Sequence, residues 1–419
     1  MDLELLTIGT ELLLGFTIDT NAAELARALA TVGARVVRRA TVRDDAAEIE
    51  AAVGDALART GCVITTGGLG PTRDDITKKS VAHLFDAPLE LDAAYLARLS
   101  ERFARLGHGA MPTSNRSQAE VPRGAIVLTN RRGTAPGLWL EGSRGIAIML
   151  PGVPREMLGL LHEEVLPRVR KRVLQAKGRP RVTRSRTMRT TGISESALAD
   201  VIGPLDEGLA PVTLAYLPSV EGVDLRLTVW SAEPTEAERL LTRAADTLTP
   251  TLGTYCYGED NCDLAALVLE RLAGRGGTLA VAESCTGGVV GARLSGIPGA
   301  SRVFLGGVVA YADRVKVVEL GVSQDLFTLH GAVSEPVARA MVEGVAERLG
   351  ATASVAVTGI AGPTGGTPDK PIGTVWLAAH LGSVTETAMR RFPGGREDVR
   401  QRSAQAALDL LRRLLDGGQ

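Results

Sequence analysis

Residues 282–288 read Ala282-Glu283-Ser284-Cys285-Thr286-Gly287-Gly288 and follow the apolar run Thr278-Leu279-Ala280-Val281. A short strand that empties through Ser and Gly into a helix start exposes a hydroxyl, and the free N–H groups of a first helical turn can hold an anion. Downstream lie Tyr311 and Lys316, then the Gly-rich run Thr358-Gly359-Ile360-Ala361-Gly362-Pro363-Thr364-Gly365-Gly366. A hydroxyl, a lysine base and a second Gly-rich loop together suggest a Ser/Lys amidohydrolase acting on a phosphorylated substrate. Taken singly the residues are bland. A Ser before a helix is ordinarily a cap, and a lone Lys is ordinarily a solvated surface charge.

A second set of chemical residues occupies the first half of the chain. Thr65, Thr66, Gly67, Gly68 and Gly70 offer hydroxyls and bare N–H groups suited to phosphate. Asp74 and Asp75 follow and are placed to hold a hard divalent cation beside it, although adjacent acids after Pro71 and Thr72 also simply favour a helix start. Three further segments read as loops at sheet ends: Gly9–Gly15, Asn130–Gly137 and Pro151–Met157. Loops at the carboxyl ends of strands build the ligand crevice of an open α/β sheet. Neither GxGxxG nor GxxxxGK[ST] is present, which disfavours a hydride-transfer site or a P-loop ATPase.

The elements that must carry these loops follow from hydrophobic periodicity. Residues 3–8, 35–41, 62–66, 125–129 and 145–150 read as strands. Residues 21–32, with Leu25, Ala28, Leu29 and Val32 on one face, 46–58 and 154–173 read as helices. This alternation predicts a parallel sheet covered on both faces. Residues 174–187 are basic, with Gly and Pro, and read as a domain exit. Residues 182–248 give the order β-α-β-β-α, a small α+β module, and 255–261 reads as the next connector. From Asp263 the alternation of strand and helix returns and closes with a helix over 396–415. The expected organisation is two three-layer α/β domains, 1–173 and 255–419, joined by an α+β module over 174–254.

Bulk properties narrow the class. At 419 residues the chain exceeds one core. It is 45% hydrophobic and 23% charged, ordinary for a globular protein, but only 3% aromatic, so stacking platforms for single-stranded nucleic acid are largely missing. The net charge of −1 provides no global field for nucleic acid or anionic membrane. Cys62, Cys256, Cys262 and Cys285 form no CxxC pair, and so few cysteines fit a reducing cytoplasm. Met1-Asp2-Leu3-Glu4 has acids where a signal peptide needs bases, and no run of about 18 apolar residues is present. His83, His108, His162, His330 and His380 are scattered without HxxxH or HExxH spacing, so each is expected to be structural. Arg greatly outnumbers Lys, which makes each Lys worth inspection.

The longer motifs carry a resemblance. Gly9-Thr10-Glu11-Leu12-Leu13-Leu14-Gly15 with Asp19-Thr20-Asn21, Thr65 to Asp75, Gly133-Thr134-Ala135-Pro136-Gly137, and Pro151-Gly152-Val153-Pro154-Arg155-Glu156-Met157 closely resemble the CinA (competence/damage-inducible) family. The resemblance covers the whole chain. It implies a first domain of the molybdopterin-binding (MogA/MoaB-like) fold, associated in two-domain members with metal-dependent ADP-ribose pyrophosphatase activity. On that reading Asp74 and Asp75 hold the metal (Co, Mg or Mn). Gly67, Gly68 and Gly70 take phosphate. Glu11 and Asp19 are polar partners, and Thr10, Thr72, Gly133, Thr134, Gly137 and Gly152 complete the nucleotide site.

Ala282 to Gly288, Gly331 to Glu335, Thr358 to Gly366, Lys370 to Trp376, and Phe392 to Arg396 with Val399-Arg400 resemble the same family's nicotinamide-nucleotide amidase domain. This domain hydrolyses nicotinamide mononucleotide to nicotinate mononucleotide and ammonia without a cofactor. The resemblance implies Ser284 as nucleophile, Lys316 as base and Tyr311 as relay or orienting group. Amides near Thr286 and Gly287 stabilise the oxyanion. Glu283, Gly288, Thr358, Gly359, Gly362, Gly365 and Gly366 are expected to line the substrate, with Arg396 and Arg400 sharing its phosphate. Cys285 is a rival nucleophile that has no His near in sequence, although His330 could be near in space.

One position departs from the family pattern. Asp313 stands in Tyr311-Ala312-Asp313-Arg314-Val315-Lys316 where Asn is frequent, and an acid there favours the ammonium form of Lys316 over the base. A homodimer is also implied, while membrane and nucleic-acid partners are not expected. Two alternatives remain: an amidase whose first domain only binds nucleotide, and a DNA-uptake or damage-associated binding protein supported by the basic stretch 168–189 and by the KH-like order of the middle module. Against the latter stand the net charge and the lack of a GxxG loop after the module's first helix.

Overall fold

The computed structural model describes residues 1–105, 111–177 and 181–417. His108 and residues 178–180 of the expected connector lie outside them. The chain divides into two compact units, Met1–Arg184 with Val229–Arg239, and Ser185–Thr228 with Leu240–Gln419.

In the first unit β1 (Asp2–Ile8), α1 (Asn21–Thr31), β2 (Arg35–Val42), α2 (Ala46–Thr60), β3 (Cys62–Thr66) and α3 (Thr77–Leu84) alternate as the periodicity requires. The antiparallel strands β4 (Ile126–Leu128) and β5 (Gly137–Gly142) follow, then β6 (Gly145–Leu150) and α4 (Pro154–Leu160). The six-stranded sheet runs β2-β1-β3-β6-β5-β4. β1, β2, β3 and β6 are parallel, while β4 and β5 add an antiparallel edge that strand–helix alternation does not anticipate. Side chains alternate along each strand. Ile64, Ile148 and Leu150 pack with Leu25, Leu29 and Met157 on one face, and Val63, Ala147 and Met149 with Ile49, Val53 and Val81 on the other. The single helix expected over 154–173 contains a π turn at Leu161–Val165.

The middle module has β7 (Val182–Thr190), α5 (Glu195–Asp206), β8 (Thr213–Pro218), β9 (Val223–Ala232) and α6 (Pro234–Leu252). Its fourth strand, β10 (Cys256–Glu259), corrects the expected connector over 255–261. It pairs antiparallel with β7, so this segment completes the module's sheet in the order β8-β9-β7-β10.

The last α/β domain comprises α7 (Leu264–Gly274), β11 (Leu279–Glu283), α8 (Val289–Ser295), β12 (Phe304–Val309), α9 (Asp313–Leu320), α10 (Glu335–Leu349), β13 (Ala353–Gly359), β14 (Thr374–Leu381), β15 (Val384–Arg391) and α11 (Arg396–Gly417). Its sheet runs β12-β11-β13-β14-β15. Leu279 and Val281 face α7, α8 and α11, whereas Ala280 and Ala282 face α10, so helices cover both sides. Small residues on the α10 face let that helix approach closely. β12, β11 and β13 are parallel, and their carboxyl ends open at one edge. Among the described residues no helix is long and apolar enough to cross a membrane.

Candidate functional sites

The strand register brings the second set of motifs together. Ser284 N–H donates to the carbonyl of Val357 at 2.9 Å, and Ala310 N–H donates to the carbonyl of Glu283 at 2.7 Å. The loops after β11, β12 and β13, carrying Ser284, Tyr311 and Ile360–Gly366, therefore leave the sheet side by side. The first turns of α11 tie them together. Arg396 donates to the Gly362 carbonyl (2.8 Å) and to the Tyr311 hydroxyl (2.7 Å), and Arg400 donates twice to the Thr286 carbonyl (3.1 and 2.9 Å).

The helix start after Ser284 is not the open anion site that the sequence suggests. The Glu283 carboxylate, 1% exposed, accepts from the N–H groups of Gly288 (2.9 Å), Val290 (3.1 Å) and Gly291 (2.8 Å). A buried carboxylate at the positive end of α8 already satisfies those donors, so Glu283 braces the turn from within. Gly288 precedes this helix at φ 101, a conformation that lets the chain double back over Glu283 and that a side chain would disfavour. Gly287 N–H donates to the Ser284 carbonyl (3.1 Å). The N–H groups of Cys285 and Thr286 take part in none of the turn's backbone–backbone hydrogen bonds among the described residues, and the Cys285 N–H faces its own thiol. Among the described residues the buried Thr286 hydroxyl has no hydrogen-bond partner.

Lys316 is 1% exposed, and its Nζ donates to Asp313 Oδ1 (3.1 Å) and to the Tyr311 carbonyl (3.2 Å). Tyr311 thus orients Lys316 through its backbone, while its phenol points to Arg396. Burial pushes the Cys285 thiol up to about 12, aided by Glu283 and opposed first by its own backbone N–H and then by Arg396 and Lys316. His330 sits exposed at a helix end, its carbonyl accepting from Lys370. Three expected substrate contacts are engaged internally. The Thr358 hydroxyl donates to the Ala332 carbonyl (2.8 Å). A Cβ on Gly359 would meet Cys285 Sγ at 3.0 Å and Val375 at 2.7 Å, so this glycine admits close packing. Arg400 also donates to Glu397 (2.6 Å).

In the first domain the predicted residues divide among separate cavities. Glu11, Asp19 and Gly152 line one of about 140 Å³ with Asn21 and Thr66. Gly68, Gly70, Thr72 and Asp75 line another of about 350 Å³ with Arg73, Lys78, Lys79 and Arg116. Gly133 lines a third with Tyr95 and Arg98. The division follows from β3. Ile64 and Val63 face opposite cores, so Thr66 and Thr65 also point to opposite sides of the sheet. Gly67 turns the chain at φ +110 where a Cβ would lie 2.1 Å from the Ile8 carbonyl, so only Gly fits.

Several of these residues hold the loops themselves. Thr10 bonds Asp44 through N–H (2.9 Å) and hydroxyl (3.1 Å). Asp19 accepts from Ala22 N–H (3.0 Å). Asn21 donates to Thr66 (3.1 Å) and to the Gly152 carbonyl (2.7 Å). The Thr134 carbonyl accepts from Tyr95 (3.0 Å), and Gly137 packs between Leu128 and Leu160. Asp75 Oδ2 accepts from Thr72 N–H (2.8 Å) and hydroxyl (2.5 Å). A hydrogen bond from Thr72, then Asp74's own backbone, holds the exposed Asp74 carboxyl below its usual range. Among the described residues no three His, Cys, Asp or Glu side chains converge as a metal cluster. Of the two expected metal carboxylates, Asp75 lines the second cavity and Asp74 is not among its lining residues.

Sequence reasoning passed over Lys78, which is 8% exposed and depressed by burial to about 8. The scarcity of Lys beside Arg is the signal that could have singled it out.

The description "CinA C-terminal domain" matches residues 261–415, "Probable molybdopterin binding domain" residues 4–171, and "Damage-inducible protein CinA KH domain" residues 185–258. A "CinA-like protein" of Gemmatimonas aurantiaca is 56% identical over 415 residues, 99% of this chain and 96% of that one. The chain belongs to the CinA family. A "Putative competence-damage inducible protein" of Symbiobacterium thermophilum is 44% identical over 427 residues, 99% of each chain. The crystal structure of a competence-damaged protein (CinA) superfamily protein from Escherichia coli is 37% identical. It covers 36% of this chain and 88% of its own, with a TM-score of 0.35. The CinA chain thus combines a molybdopterin-binding-type α/β domain, a KH-type module and a CinA C-terminal α/β domain.

Proposed function

We propose that this CinA chain is a bifunctional hydrolase of pyridine-nucleotide salvage. The C-terminal domain deamidates nicotinamide mononucleotide, and the N-terminal domain cleaves the diphosphate of ADP-ribose with a divalent cation. The observation that carries the first activity is the side-by-side exit of the β11 and β12 ends, which carry Ser284 and the Tyr311–Lys316 segment with its buried Lys316.

In the amidase reaction Ser284 Oγ attacks the carboxamide carbon while the Lys316 amine accepts its proton. The N–H groups of Cys285 and Thr286 bind the developing oxyanion, an arrangement worth about 3 kcal/mol per donor. Lys316 returns the proton to the leaving nitrogen, ammonia departs, and water hydrolyses the acyl ester to nicotinate mononucleotide and free Ser284. Arg396, fixed by Gly362 and Tyr311, is the cation placed for the 5′-phosphate. Arg400, bonded to Thr286, positions the oxyanion loop.

In the first domain Asp74 and Asp75 would hold the cation, which neutralises the diphosphate and activates water when bound. The Gly68–Gly70 backbone and Thr72 take the phosphate oxygens.

Full-length protein incubated separately with nicotinamide mononucleotide and with ADP-ribose plus Co, Mg or Mn should release ammonia in the first case and AMP in the second. Absence of ammonia would remove the amidase reading. Absence of AMP alone would leave an amidase whose first domain binds nucleotide without cleaving it.

A further inference from the structure

A largely buried charge on α8 takes no part in the reaction proposed for Ser284. The Arg293 side chain is 15% exposed, and among the described residues the carboxylate within ion-pair distance of it is Glu221, at 3.5 Å. Glu221 belongs to the middle module, in the turn between β8 and β9. A buried guanidinium costs free energy unless a carboxylate compensates it. The pair therefore fixes α8 to the module.

The turn is built to present that carboxylate. A Cβ on Gly222 would lie 2.0 Å from the Thr190 carbonyl oxygen, so only Gly lets the turn close on the end of β7. Ser219 N–H donates to the Gly222 carbonyl (2.8 Å), Glu221 N–H to the Ser219 hydroxyl (3.1 Å), and the Thr191 hydroxyl to the Glu221 carbonyl (2.8 Å). With its backbone held on both sides, Glu221 shares its carboxylate between Arg293 and Arg189 of β7 (3.0 Å). Arg189 is held in turn by Asp224 (2.9 Å) and by the Tyr257 hydroxyl (3.1 Å).

The other end of α8 is tied to the catalytic turn. The N–H groups of Gly288, Val290 and Gly291 donate to the carboxylate of Glu283, the residue before Ser284. α8 spans about two turns, so a displacement at Arg293 is carried to its first turn. We propose that Glu221 of the middle module is a positioning residue for deamidation, which through Arg293 and α8 fixes the turn that carries Ser284. It rests on the amidase reading, which supplies the reaction. Neutralising Glu221 leaves Arg293 buried without its counter-charge. α8 then shifts to bring the guanidinium to water, and Glu283 draws the Ser284 turn with it.

Steady-state deamidation and hydrogen–deuterium exchange of the full chain test the coupling together. Glu221→Gln should lower kcat about tenfold with KM for nicotinamide mononucleotide kept, the loss expected when the nucleophile is slightly misplaced. It should also speed exchange within 284–294 alone. Glu221→Gln with Arg293→Met should recover most of the lost kcat, because no charge is then buried without a partner. Asp224→Asn touches Arg189 but not α8, so it should keep the wild-type kcat and exchange. Unchanged kcat in Glu221→Gln, or an equal loss in Asp224→Asn, would overturn the proposal. Faster exchange across the whole last domain with a matching fall in its melting temperature would also overturn it, since that is loss of fold. If wild-type protein releases no ammonia while Glu221→Gln still loosens 284–294 alone, the coupling stands and the amidase reading falls.

Discussion

Lys316 Nζ lies 3.1 Å from Asp313 Oδ1, a buried ammonium held by a half-exposed carboxylate three residues earlier on α9. Asp313 therefore fixes where the Lys316 side chain ends. Asp313→Asn replaces the charged partner with a neutral amide, so kcat for deamidation should fall while KM for nicotinamide mononucleotide is kept. Unchanged kcat would remove Asp313 from the positioning of Lys316. Lys316→Arg keeps the charge but cannot deprotonate at working pH, so it should be inactive throughout.

The thiol beside the nucleophile is a bystander. Burial holds Cys285 up near 12, so the thiol stays protonated across the neutral range. Folded protein should resist iodoacetamide at Cys285 between pH 7 and 9, and Cys285→Ala should keep most activity. Ser284→Ala should lose nearly all of it. A dead Cys285→Ala with an active Ser284→Ala would replace the ester route by a thioester one.

Glu283 supports the site without touching substrate. Glu283→Gln puts an amide where three N–H groups converge, and it should cost about 2 kcal/mol. The thermal transition of the C-terminal domain should fall, and kcat should drop as the Ser284 turn loosens. Unchanged melting and turnover would show that the turn holds itself.

The N-terminal activity should depend on Asp74 and on a chelatable cation. Asp74 is exposed, so Asp74→Asn tests the role without unfolding, and Asp74→Asn with Asp75→Asn should abolish AMP release. Deamidation should continue unchanged in both variants. AMP release that survives EDTA would refute the metal role.

The amino-acid sequence by itself determined the alternation of elements, because burial on two sheet faces imposes a period of two on strands and 3.6 on helices. It also carried the family, through motifs such as Ala282 to Gly288 and Thr65 to Asp75, and it placed Ser284 in a turn between strand and helix. Only the tertiary structure decided which donors remain free. Glu283 claims the amides of α8, Thr358 bonds Ala332, and Arg400 bonds Thr286, each through a partner that sequence spacing does not reveal. Within 255–261, Cys256–Glu259 became a strand because β7 offers it an edge, a pairing across more than 60 residues. The first-domain motifs, read as one site, separated because successive residues of β3 point to opposite faces. Lys78 is depressed to about 8 because the fold buries it, against the opposing pull of Glu120 and Asp75, a property of the folded surroundings rather than of the residue.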